Sequence, residues 1–515
     1  MPNGYGHTKS QECTLYEKLK KELSRDGRLM HIGRLLEYAY KKYCDNVALI
    51  YKEQRITYKE LYYRAGLMTK KVRQAGVKPK DRVLLFFENS LEFYIGYYGI
   101  LQAGAVVAPL NTFLCERELE HIVNDAQPTL IIASQKLSKF LRNTGIKILT
   151  EDDMQLTPLV PENIEDVAII DLDEQDMSVL LYTSGTTGLP KGVMLSSKNC
   201  MTNVVQMIAR VGLWQGERIF GVLPLFHSFA QSICVWATLF VGCTVIVVPN
   251  INRRDILQGL EQKPTFFCGV PALYGLLCLL KTAPLDSVKC FVSGGDALSD
   301  KIRAAFALIY GRKICNGYGL TETAPLVSVD LRDQTELTSN VGRAVCGITT
   351  SIRDERGNVL LNGEIGELWV KGDNVMLGYY NESEMTAKVL TDGWLHTGDL
   401  AYIDKNNTIV ITGRVKDLII HKGFNIYPQE IENIIMSHAS VIRTGVIGRN
   451  DPQVGQVPIA YVQLREEQEG IEQELKKICL QNLAAYKVPK QFIITVKDLP
   501  VTATGKVNKK KLQSE

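Results

Sequence analysis

Short apolar runs alternate with longer helical stretches from about residue 30 to residue 250. Four of these runs are RVLLFF, TLIIAS, SVLLYT and TVIVVP, in which apolar side chains occupy successive positions. Continuous apolar runs are typical of strands buried on both faces, so the pattern predicts parallel sheets covered by helices. A further stretch, from residue 263 to residue 324, contains three strand-then-loop segments that could converge on one crevice. Ligands bind such sheets past the carboxyl ends of the strands.

The pattern changes after about residue 340, where short strands are broken by Gly, Asp and Asn and predict a small antiparallel β subdomain. Mixed helix and strand patterns resume after a junction near Arg414 to Asp417, over a length that suits a separate small domain. We therefore predict an α/β fold. Residues 1–29 are an N-terminal extension containing an amphipathic helix over 13–24, residues 30–415 are a large domain of αβ sheet subdomains plus the β subdomain, and residues 416–515 are a small α+β domain.

One apolar segment approaches the length of a membrane span. Residues 232–248, SICVWATLFVGCTVIVV, are 17 residues without a charge. Gly242 divides the segment into a helix-like half and a β-branched half, which favours a buried helix, a tight turn and a buried strand. Residues 99–111 repeat the order helix, Gly, strand, Pro, Asn. The interpretation as a buried αβ unit is favoured over a span.

Length, charge and cysteine content exclude several classes of protein. A chain of 515 residues is too long for one hydrophobic core, and 45% hydrophobic with 22% charged residues is typical of globular proteins. A net charge of +3 gives no basic field for nucleic acid. The 12 cysteines include no C-x-x-C pair and the 7 histidines are dispersed, which predicts a reducing, cytoplasmic protein with free thiols and no structural metal. We expect small-molecule partners.

A polar loop follows the buried strand MSVLLY. The segment YTSGTTGLPKGV, residues 182–193, combines glycines, hydroxyls and Lys191. Backbone N–H groups, hydroxyls and an ammonium together form a phosphate-binding cradle. A Walker A loop is excluded because Lys191 is followed by Gly192 rather than by the Ser or Thr that would hold Mg²⁺. The alternative is a solvated turn.

The same segment resembles the signature loop of the adenylate-forming superfamily, which comprises acyl-CoA synthetases, firefly luciferases and peptide-synthetase adenylation domains. Further motifs resemble those of the family in the family's order. They are TYKEL, GAVVAPLN, PLFHSFA, NGYGLTETAP, GELWVKGDNVMLGYYN, GWLHTGD, GRVKDLIIHKGFNIYPQEIE and LPVTATGKVNKKKL. The resemblance covers about residues 30 to 515, and most closely concerns medium- and long-chain fatty acid–CoA ligases.

The resemblance implies a reaction in two steps and assigns residues to the nucleotide. A carboxylate attacks the α-phosphorus of ATP and releases pyrophosphate, and a thiol then displaces AMP. Tyr318 would stack on adenine, Thr321 would contact the α-phosphate, Glu322 would hold Mg²⁺, and Asp399 with Arg414 would bind the ribose. The implied ATP/AMP-binding set is Thr183, Ser184, Gly185, Thr187, Gly188, Lys191, Gly294, Gly295, Asn316, Gly317, Tyr318, Gly319, Thr321, Asp399 and Arg414, with Thr186 as a catalytic phosphate contact.

The resemblance also implies a mobile small domain. Lys416 matches the family hinge, and Lys506 matches the lysine that neutralises charge on the attacking carboxylate and the α-phosphate. Rotation about the hinge would withdraw Lys506 and form a channel for coenzyme A near Lys422, Gly423 and Phe424. ATP, Mg²⁺ and coenzyme A are therefore the expected cofactors and co-substrates.

The residues near PLFHSFA bear on which acid is activated. Amino-acid-activating relatives carry Asp where this chain has His227, so an α-amino acid is disfavoured. His227 resembles the aromatic gate of acyl- and aryl-CoA synthetases and is counted with the catalytic residues, although a core histidine remains an alternative. The expected acyl-pocket residues are His227, Phe229, Gln231, Cys268, Gly269 and Val270.

A fatty acid is the favoured acid, and a coumarate-type aryl acid is the alternative. Coenzyme A is the favoured acceptor, with an acyl carrier protein as the alternative. Two other classes of protein are disfavoured. One is a non-catalytic adenylate-binding protein, which would be expected to lose Lys506, Glu322 or Lys191, and the other is a luciferase-like oxygenase. We expect a monomer or homodimer with no transmembrane segment. Peripheral contact with a membrane stays an open alternative.

Overall fold

The computed structural model describes residues 8–154, 168–170, 172–184, 189–331, 339–422, 424–451, 453–501 and 507–513. For Ser184 only the backbone is described.

A first sheet is built mainly from residues 82–196, and the short strand Gly378–Tyr379 joins it from later in the chain. Within the described residues it has seven strands, and the central ones are parallel, as the continuous apolar runs predict. At one edge, a hairpin of Met177–Ser184 and Pro190–Ser196, the phosphate-loop hairpin, adds an antiparallel strand. In spatial order the strands are Gly378–Tyr379, Pro190–Ser196, Met177–Ser184, Val106–Pro109, Arg82–Phe86, Leu130–Ala133 and Ile148–Leu149.

A second sheet brings the three strand-then-loop segments side by side. It has eight strands in the part of the chain that the structure describes, with a parallel centre and an antiparallel strand at each edge. Phe266–Gly269, Cys290–Ser293 and Cys315–Gly319 are adjacent and parallel, which confirms the predicted convergence. In spatial order the strands are Leu326–Asp330, Cys315–Gly319, Cys290–Ser293, Phe266–Gly269, Arg218–Gly221, Thr244–Val247, Val47–Tyr51 and Gln54–Thr57.

Helices cover both sheets, and the largest hydrophobic core lies around the helices between them. The helix Leu91–Gln102 is buried along nearly its whole length. The helices of the large domain are Lys9–Leu23, Leu35–Tyr43, Tyr58–Gln74, Leu91–Gln102, Glu116–Ala126, Gln135–Ser138, Ser197–Val211, Ser228–Ala230, Gln231–Ala237, Thr238–Val241, Arg253–Glu261, Pro271–Leu280, Asp300–Tyr310 and Ser383–Val389. Among the described residues, no helix is both long enough and apolar enough to cross a lipid bilayer.

The apolar segment 232–248 folds as a buried helix, a turn and a strand, as predicted. Gln231–Ala237 is a π-helix, Gly242 has a positive φ of 76° that ends the helical stretch, and Thr244–Val247 is a strand of the second sheet. Tyrosine hydroxyls from Leu91–Gln102 bond to its carbonyls: Tyr94 donates to Cys234 O and Tyr98 to Val235 O. These bonds help satisfy backbone groups that a π-helix presents differently from an α-helix.

The two remaining sheets follow in sequence. The β subdomain is antiparallel and, where the chain is described, consists of Ile348–Arg353, Gly366–Gly372, Leu390–Thr391, Trp394–Ile403 and Ile409–Arg414. A short 3-10 turn, Val415–Asp417, leads into the small domain. Its sheet contains Ile419–His421, Phe424–Ile426, Val441–Asp451, Gly455–Leu464 and Gln491–Thr495, with the helices Pro428–Met436, Ile471–Asn482 and Lys509–Gln513.

The N-terminal helix, Lys9–Leu23, packs on the large domain along the helix Ser197–Val211. Its buried Glu12 accepts hydrogen bonds at 3.1 Å from Arg210, Arg343 and the backbone N–H of Cys346. The pKa of the Arg210 guanidinium is lowered by burial, an effect that the Glu12 carboxylate opposes. The helix is therefore held by a buried ionic cluster rather than by apolar contact alone.

A disulfide also attaches the N-terminal helix. Cys13 and Cys346 are bonded, with their Cα atoms 5.5 Å apart. The prediction of free thiols is therefore wrong for these two residues, and the other ten cysteines are free. The two cysteines are 333 residues apart in sequence, so only the docking of the helix against the β subdomain brings them together.

Candidate functional site

The phosphate-loop hairpin places two predicted phosphate contacts opposite each other. Thr183 and Lys191 are directly paired across the antiparallel strands, so their side chains point to the same face of the sheet. The hydroxyl of Thr183 is buried, and no hydrogen-bond partner for it lies among the described residues. A buried hydroxyl in this position suits a polar ligand, because leaving it unpaired costs free energy.

The ammonium of Lys191 lies in a cluster with a carboxylate and an aromatic ring. Its Nζ is 3.7 Å from Glu322 Oε1 and 3.6 Å from the centroid of the Tyr379 ring. The Tyr379 hydroxyl donates to the same Glu322 oxygen at 2.8 Å. We call Lys191, Glu322 and Tyr379 the lysine cluster. A carboxylate beside an ammonium suits a magnesium–phosphate pair, because Mg²⁺ prefers oxygen ligands shared with phosphate.

Each member of the lysine cluster is held by its own element. Lys191 comes from the strand Pro190–Ser196, and Tyr379 comes from the short strand paired with it. Glu322 lies in the 3-10 turn Thr321–Thr323, and its carbonyl accepts a hydrogen bond from the N–H of Met376 at 2.9 Å. The cluster thus joins the first sheet to the strand end of the second.

Burial lowers the pKa of Lys191, and the carboxylate of Glu322 partly opposes that shift. The positive charges of Lys416 and Arg414 lower it further, so both side chains lie within electrostatic range. Several cations around one partly buried position favour an anion there, because each cation is repelled by the others and attracted by the anion.

A second group of predicted residues, the ribose cluster, consists of Tyr318, Asp399 and Arg414. The buried carboxylate of Asp399 accepts a hydrogen bond from the Tyr318 hydroxyl at 2.6 Å and pairs with Arg414 Nε at 2.9 Å. Asp399 and Arg414 face each other across the strands Trp394–Ile403 and Ile409–Arg414. The Asp399 charge raises the pKa of Arg414, and burial followed by that charge raises the pKa of Tyr318.

The loops after the second-sheet strands pack against one another. The ring of Phe229 lies against Gly294, where an added Cβ would be 3.2 Å from Phe229 Cε1. Val270 lies beside Gly295, and the Ser228 and Thr321 hydroxyls are 3.3 Å apart. The predicted acyl-pocket and nucleotide residues therefore share one crevice edge. Ser293, which precedes Gly294, has a buried hydroxyl without a partner among the described residues.

Two residues of the NGYG segment have structural reasons for their identity. A Cβ on Gly319 would lie 2.0 Å from the carbonyl oxygen of Pro325, so only glycine fits this turn. Asn316 is buried and donates to the carbonyl of Asn340 at 3.0 Å, which anchors the strand end. Gly317 lies between Asn316 and Tyr318 in the same strand.

Three predicted acyl-pocket residues have contacts of their own. His227 caps a helix, and its Nδ1 accepts a hydrogen bond from the N–H of Phe229 at 3.2 Å. Gln231 is fully buried, accepts from the Tyr97 hydroxyl at 3.0 Å and donates to the carbonyl of Phe226 at 3.1 Å. A Cβ on Gly269 would point towards Leu273 and neighbouring rings. His227 and Gln231 thus have structural partners besides any ligand.

The described hinge and channel residues, Lys416, Lys422 and Phe424, are exposed at the surface of the small domain. The pKa of Lys416 is lowered by partial removal from water and by the charge of Arg414. Lys422 is exposed, and its N–H donates to the carbonyl of Val454. Phe424 is 59% exposed and contacts the ring of Tyr486 at a centroid distance of 5.3 Å.

Several predicted residues lie outside the described part of the chain: Gly185, Thr186, Thr187, Gly188, Gly423, Lys506 and the side chain of Ser184. Their roles stay predictions.

Sequence reasoning missed one member of the lysine cluster. Tyr379 lies in the quoted motif GELWVKGDNVMLGYYN, but no role was predicted for it. An aromatic residue in a motif shared with nucleotide-binding segments is the signal that could have identified it.

A cavity of about 800 Å³ opens elsewhere, at the ends of strands that include Val47–Tyr51 and Thr244–Val247. Its lining includes Tyr51, Asn89 and Arg254, and none of the described site residues. This cavity is therefore separate from the predicted nucleotide site.

Comparison with known proteins gives the family. The family model for AMP-binding enzymes matches residues 36–380, and the model for the AMP-binding enzyme C-terminal domain matches residues 430–506. The long-chain-fatty-acid–CoA ligase of Bacillus subtilis (strain 168) is 32% identical over 520 residues, covering 92% of each chain. The feruloyl-CoA synthase of an Amycolatopsis species is 34% identical over 472 residues, covering 88% of this chain and 92% of its own.

Solved structures agree with this result. ATP-bound MatB from Rhodopseudomonas palustris is 29% identical, with a TM-score of 0.86 over 94% of this chain and 99% of its own. The apo form of MatB has the same identity and coverage but a TM-score of 0.76. The arrangement of this chain is therefore more similar to the ATP-bound form. With the family models matched across both domains and relatives above 30% identity, the chain belongs to the adenylate-forming family of AMP-binding enzymes.

Proposed function

We propose that this protein is an ATP-dependent acyl-CoA ligase that activates a medium- or long-chain fatty acid as acyl-AMP and transfers the acyl group to coenzyme A. The observation that carries the proposal is the position of the lysine cluster beside the ribose cluster, at the crevice where the second-sheet strands end. Arg414 lies within electrostatic range of both clusters, because the Asp399 and Glu322 charges both raise its pKa.

In the first step, the fatty acid carboxylate attacks the α-phosphorus of ATP, the bond to the bridging oxygen breaks, and pyrophosphate leaves. Lys191 and Thr183 would bind the departing phosphates, and Asp399 would hold the ribose. When bound, Mg²⁺ would supply charge neutralisation beside Glu322. This chain's contribution is then positioning and fixed electrostatic stabilisation of the phosphoryl group. Thr186, Thr187 and Lys506 are assigned phosphate and carboxylate contacts on the motif alone.

In the second step, the thiol of coenzyme A attacks the acyl carbonyl carbon and AMP leaves. We propose that rotation about Lys416 removes Lys506 and brings Lys422, Gly423 and Phe424 to the crevice. The exposure of Phe424 supports this part of the proposal, since an aromatic ring that is 59% exposed in one arrangement can be covered in another.

The choice of acid rests on the apolar character of the pocket edge. Phe229 lies against Gly294, Val270 lies beside Gly295, and the neighbouring Cys268 is buried. An apolar wall favours an alkyl or aryl group. Similarity to the long-chain-fatty-acid–CoA ligase supports a fatty acid as the first candidate substrate, and similarity to the feruloyl-CoA synthase supports an aryl acid as the second.

We propose coenzyme A as the acceptor, with an acyl carrier protein as the alternative, and a cytoplasmic monomer or homodimer as the working form. Ten free cysteines favour a reducing compartment. The Cys13–Cys346 disulfide favours the opposite, so direct localisation in cells is the deciding measurement.

The experiment is pyrophosphate exchange with a panel of fatty, aryl and amino acids, followed by thioester detection with coenzyme A and with carrier protein. We expect exchange with fatty acids and a thioester with coenzyme A. Exchange with aryl acids alone would show that the substrate is an aryl acid rather than a fatty acid, and no exchange with any acid would refute the proposal. The variant Lys506→Ala should abolish exchange while leaving thioester formation from supplied acyl-adenylate largely intact. Equal loss of both half-reactions would count against the two-position mechanism.

A further inference from the structure

A lysine of the large domain binds three backbone carbonyls of the small domain. Lys301 lies in the first turn of the helix Asp300–Tyr310, and its Nζ donates to the carbonyl oxygens of His438 at 3.0 Å, Ala439 at 3.1 Å and Val441 at 3.0 Å. An ammonium has three N–H donors, so each can be directed to one of these carbonyls.

The carbonyls follow the end of a helix, where a cation is favoured. The helix Pro428–Met436 ends just before them, and the carbonyl ends of its peptide dipoles give this end a partial negative charge. The N–H groups of Ser437 and His438 continue the helical bonding pattern to Ile434 and Ile435. A lysine from the other domain thus supplies the C-terminal cation that a helix often takes from its own chain.

The carbonyl turn is held rigid by the small domain itself. The His438 ring pairs with Glu474 at 3.1 Å and accepts from the N–H of Ser440 at 3.2 Å. The Ser440 hydroxyl donates to Gln468 at 2.6 Å. Because these bonds fix the turn independently of Lys301, the turn can move as part of a rigid small domain.

The other side of the contact leads directly to the candidate site. Ser299 caps the helix that carries Lys301, and the loop before it contains Gly294 and Gly295 of the crevice edge. Burial and the nearby charge of Arg465 lower the pKa of Lys301, so the contact carries an electrostatic cost that its three carbonyl bonds offset.

We propose that Lys301 is a positioning residue that stabilises the small domain in the arrangement suited to the ATP-dependent step. Rotation of the small domain about Lys416 would break all three carbonyl bonds at once. The higher similarity to ATP-bound than to apo MatB supports the assignment of this arrangement to the nucleotide-bound enzyme. The kinetic consequence rests on the proposed ligase function, whereas the structural consequence does not.

The test compares Lys301→Met, which removes the ammonium and keeps the stem, with Lys301→Arg, which keeps a cationic donor. Lys281→Met, at an exposed lysine after the neighbouring helix Pro271–Leu280, is the matched control. Thermal unfolding and circular dichroism establish that each variant is folded. Dyes attached through non-natural amino acids at the exposed positions Leu308 and Leu480 report the distance between the domains by single-molecule energy transfer.

We expect Lys301→Met to lower the population of the present arrangement about tenfold relative to the others, since bonds to a charged donor are lost. Lys301→Arg should restore most of it, and Lys281→Met should match the unchanged protein. Pyrophosphate exchange should fall about tenfold in Lys301→Met, while thioester formation from supplied acyl-adenylate should be unchanged or faster.

An unchanged distance distribution in a folded Lys301→Met protein would overturn the proposal. So would an equal fall of both half-reactions, which indicates a general structural role. The distance measurement needs no acid substrate, so it stays decisive even if no acid supports pyrophosphate exchange and the ligase proposal itself fails.

Discussion

Replacing Lys191 with methionine tests the phosphate-binding assignment most directly. Methionine keeps an unbranched side chain beside the Tyr379 ring and removes only the ammonium, which lies 3.7 Å from Glu322. A hydrogen bond to a charged group contributes about 1.5–3 kcal/mol. Since each 1.4 kcal/mol is a factor of ten, kcat/KM for ATP in pyrophosphate exchange should fall about 10- to 150-fold.

The same substitution should change the stability of the fold much less. The ion pair between Lys191 and Glu322 is long, and Glu322 keeps its hydrogen bond from the Tyr379 hydroxyl, so loss of the ammonium should cost little stability, partly offset by the smaller cost of burying methionine. Lys198→Met is the matched control. Lys198 is close to Lys191 in sequence and forms an ion pair at 3.0 Å with Asp373, outside the lysine cluster.

The assay is pyrophosphate exchange over a range of MgATP concentrations, with nucleotide affinity measured by calorimetry and folding by urea titration. A selective loss of ATP affinity in Lys191→Met, with Lys198→Met unchanged, is the expected result. If Lys191→Met is folded and keeps its KM and affinity for MgATP, Lys191 does not bind phosphate and the loop assignment fails.

Three further predictions follow from the same contacts. Tyr379→Phe removes the hydroxyl that holds Glu322 and should raise the Mg²⁺ concentration needed for half-maximal exchange about tenfold, whereas an unchanged magnesium curve would show that the hydroxyl is not needed. Because burial lowers the pKa of Lys191, its ammonium is lost at a lower pH than that of an ordinary lysine, so MgATP affinity should fall as calorimetric titrations move from neutral towards pH 10, and a flat profile would contradict the assignment. Glu12→Gln leaves two arginines without their buried carboxylate and should lower the free energy of unfolding by about 3–5 kcal/mol in urea, while Glu17→Gln, an exposed glutamate on the same helix, should have no measurable effect.

The strands could be predicted well from the sequence because burial on both faces requires a continuous run of apolar residues, which is visible within a short segment. RVLLFF lies over the strand Arg82–Phe86 and TVIVVP over Thr244–Val247, and both are buried in parallel sheets. Gly242 was recognisable as the end of a helix because its conformation, with a φ of 76°, favours glycine. The three strand-then-loop segments between residues 263 and 324 then predicted which strand ends would meet.

Contacts between distant segments could not be predicted from such short-range patterns. Tyr379 reaches Glu322 across 57 residues, and Lys301 reaches its carbonyls across 137 to 140 residues. Such pairs depend on strand register and domain orientation, which short-range patterns do not encode. The Glu12 cluster and the Cys13–Cys346 bond were missed for the same reason, since a charged helix predicts a solvated surface unless its partners are known.

The contacts of the N-terminal helix also set an order for biosynthesis. Glu12 cannot complete its hydrogen bonds until Arg343 and the N–H of Cys346 have been synthesised, and these follow it by 331 and 334 residues. At about 5–20 residues per second, a ribosome takes about 17 to 70 seconds to cover that length. The first helix made is thus among the last to reach its full set of partners, and its buried carboxylate stays in water until most of the large domain has been translated.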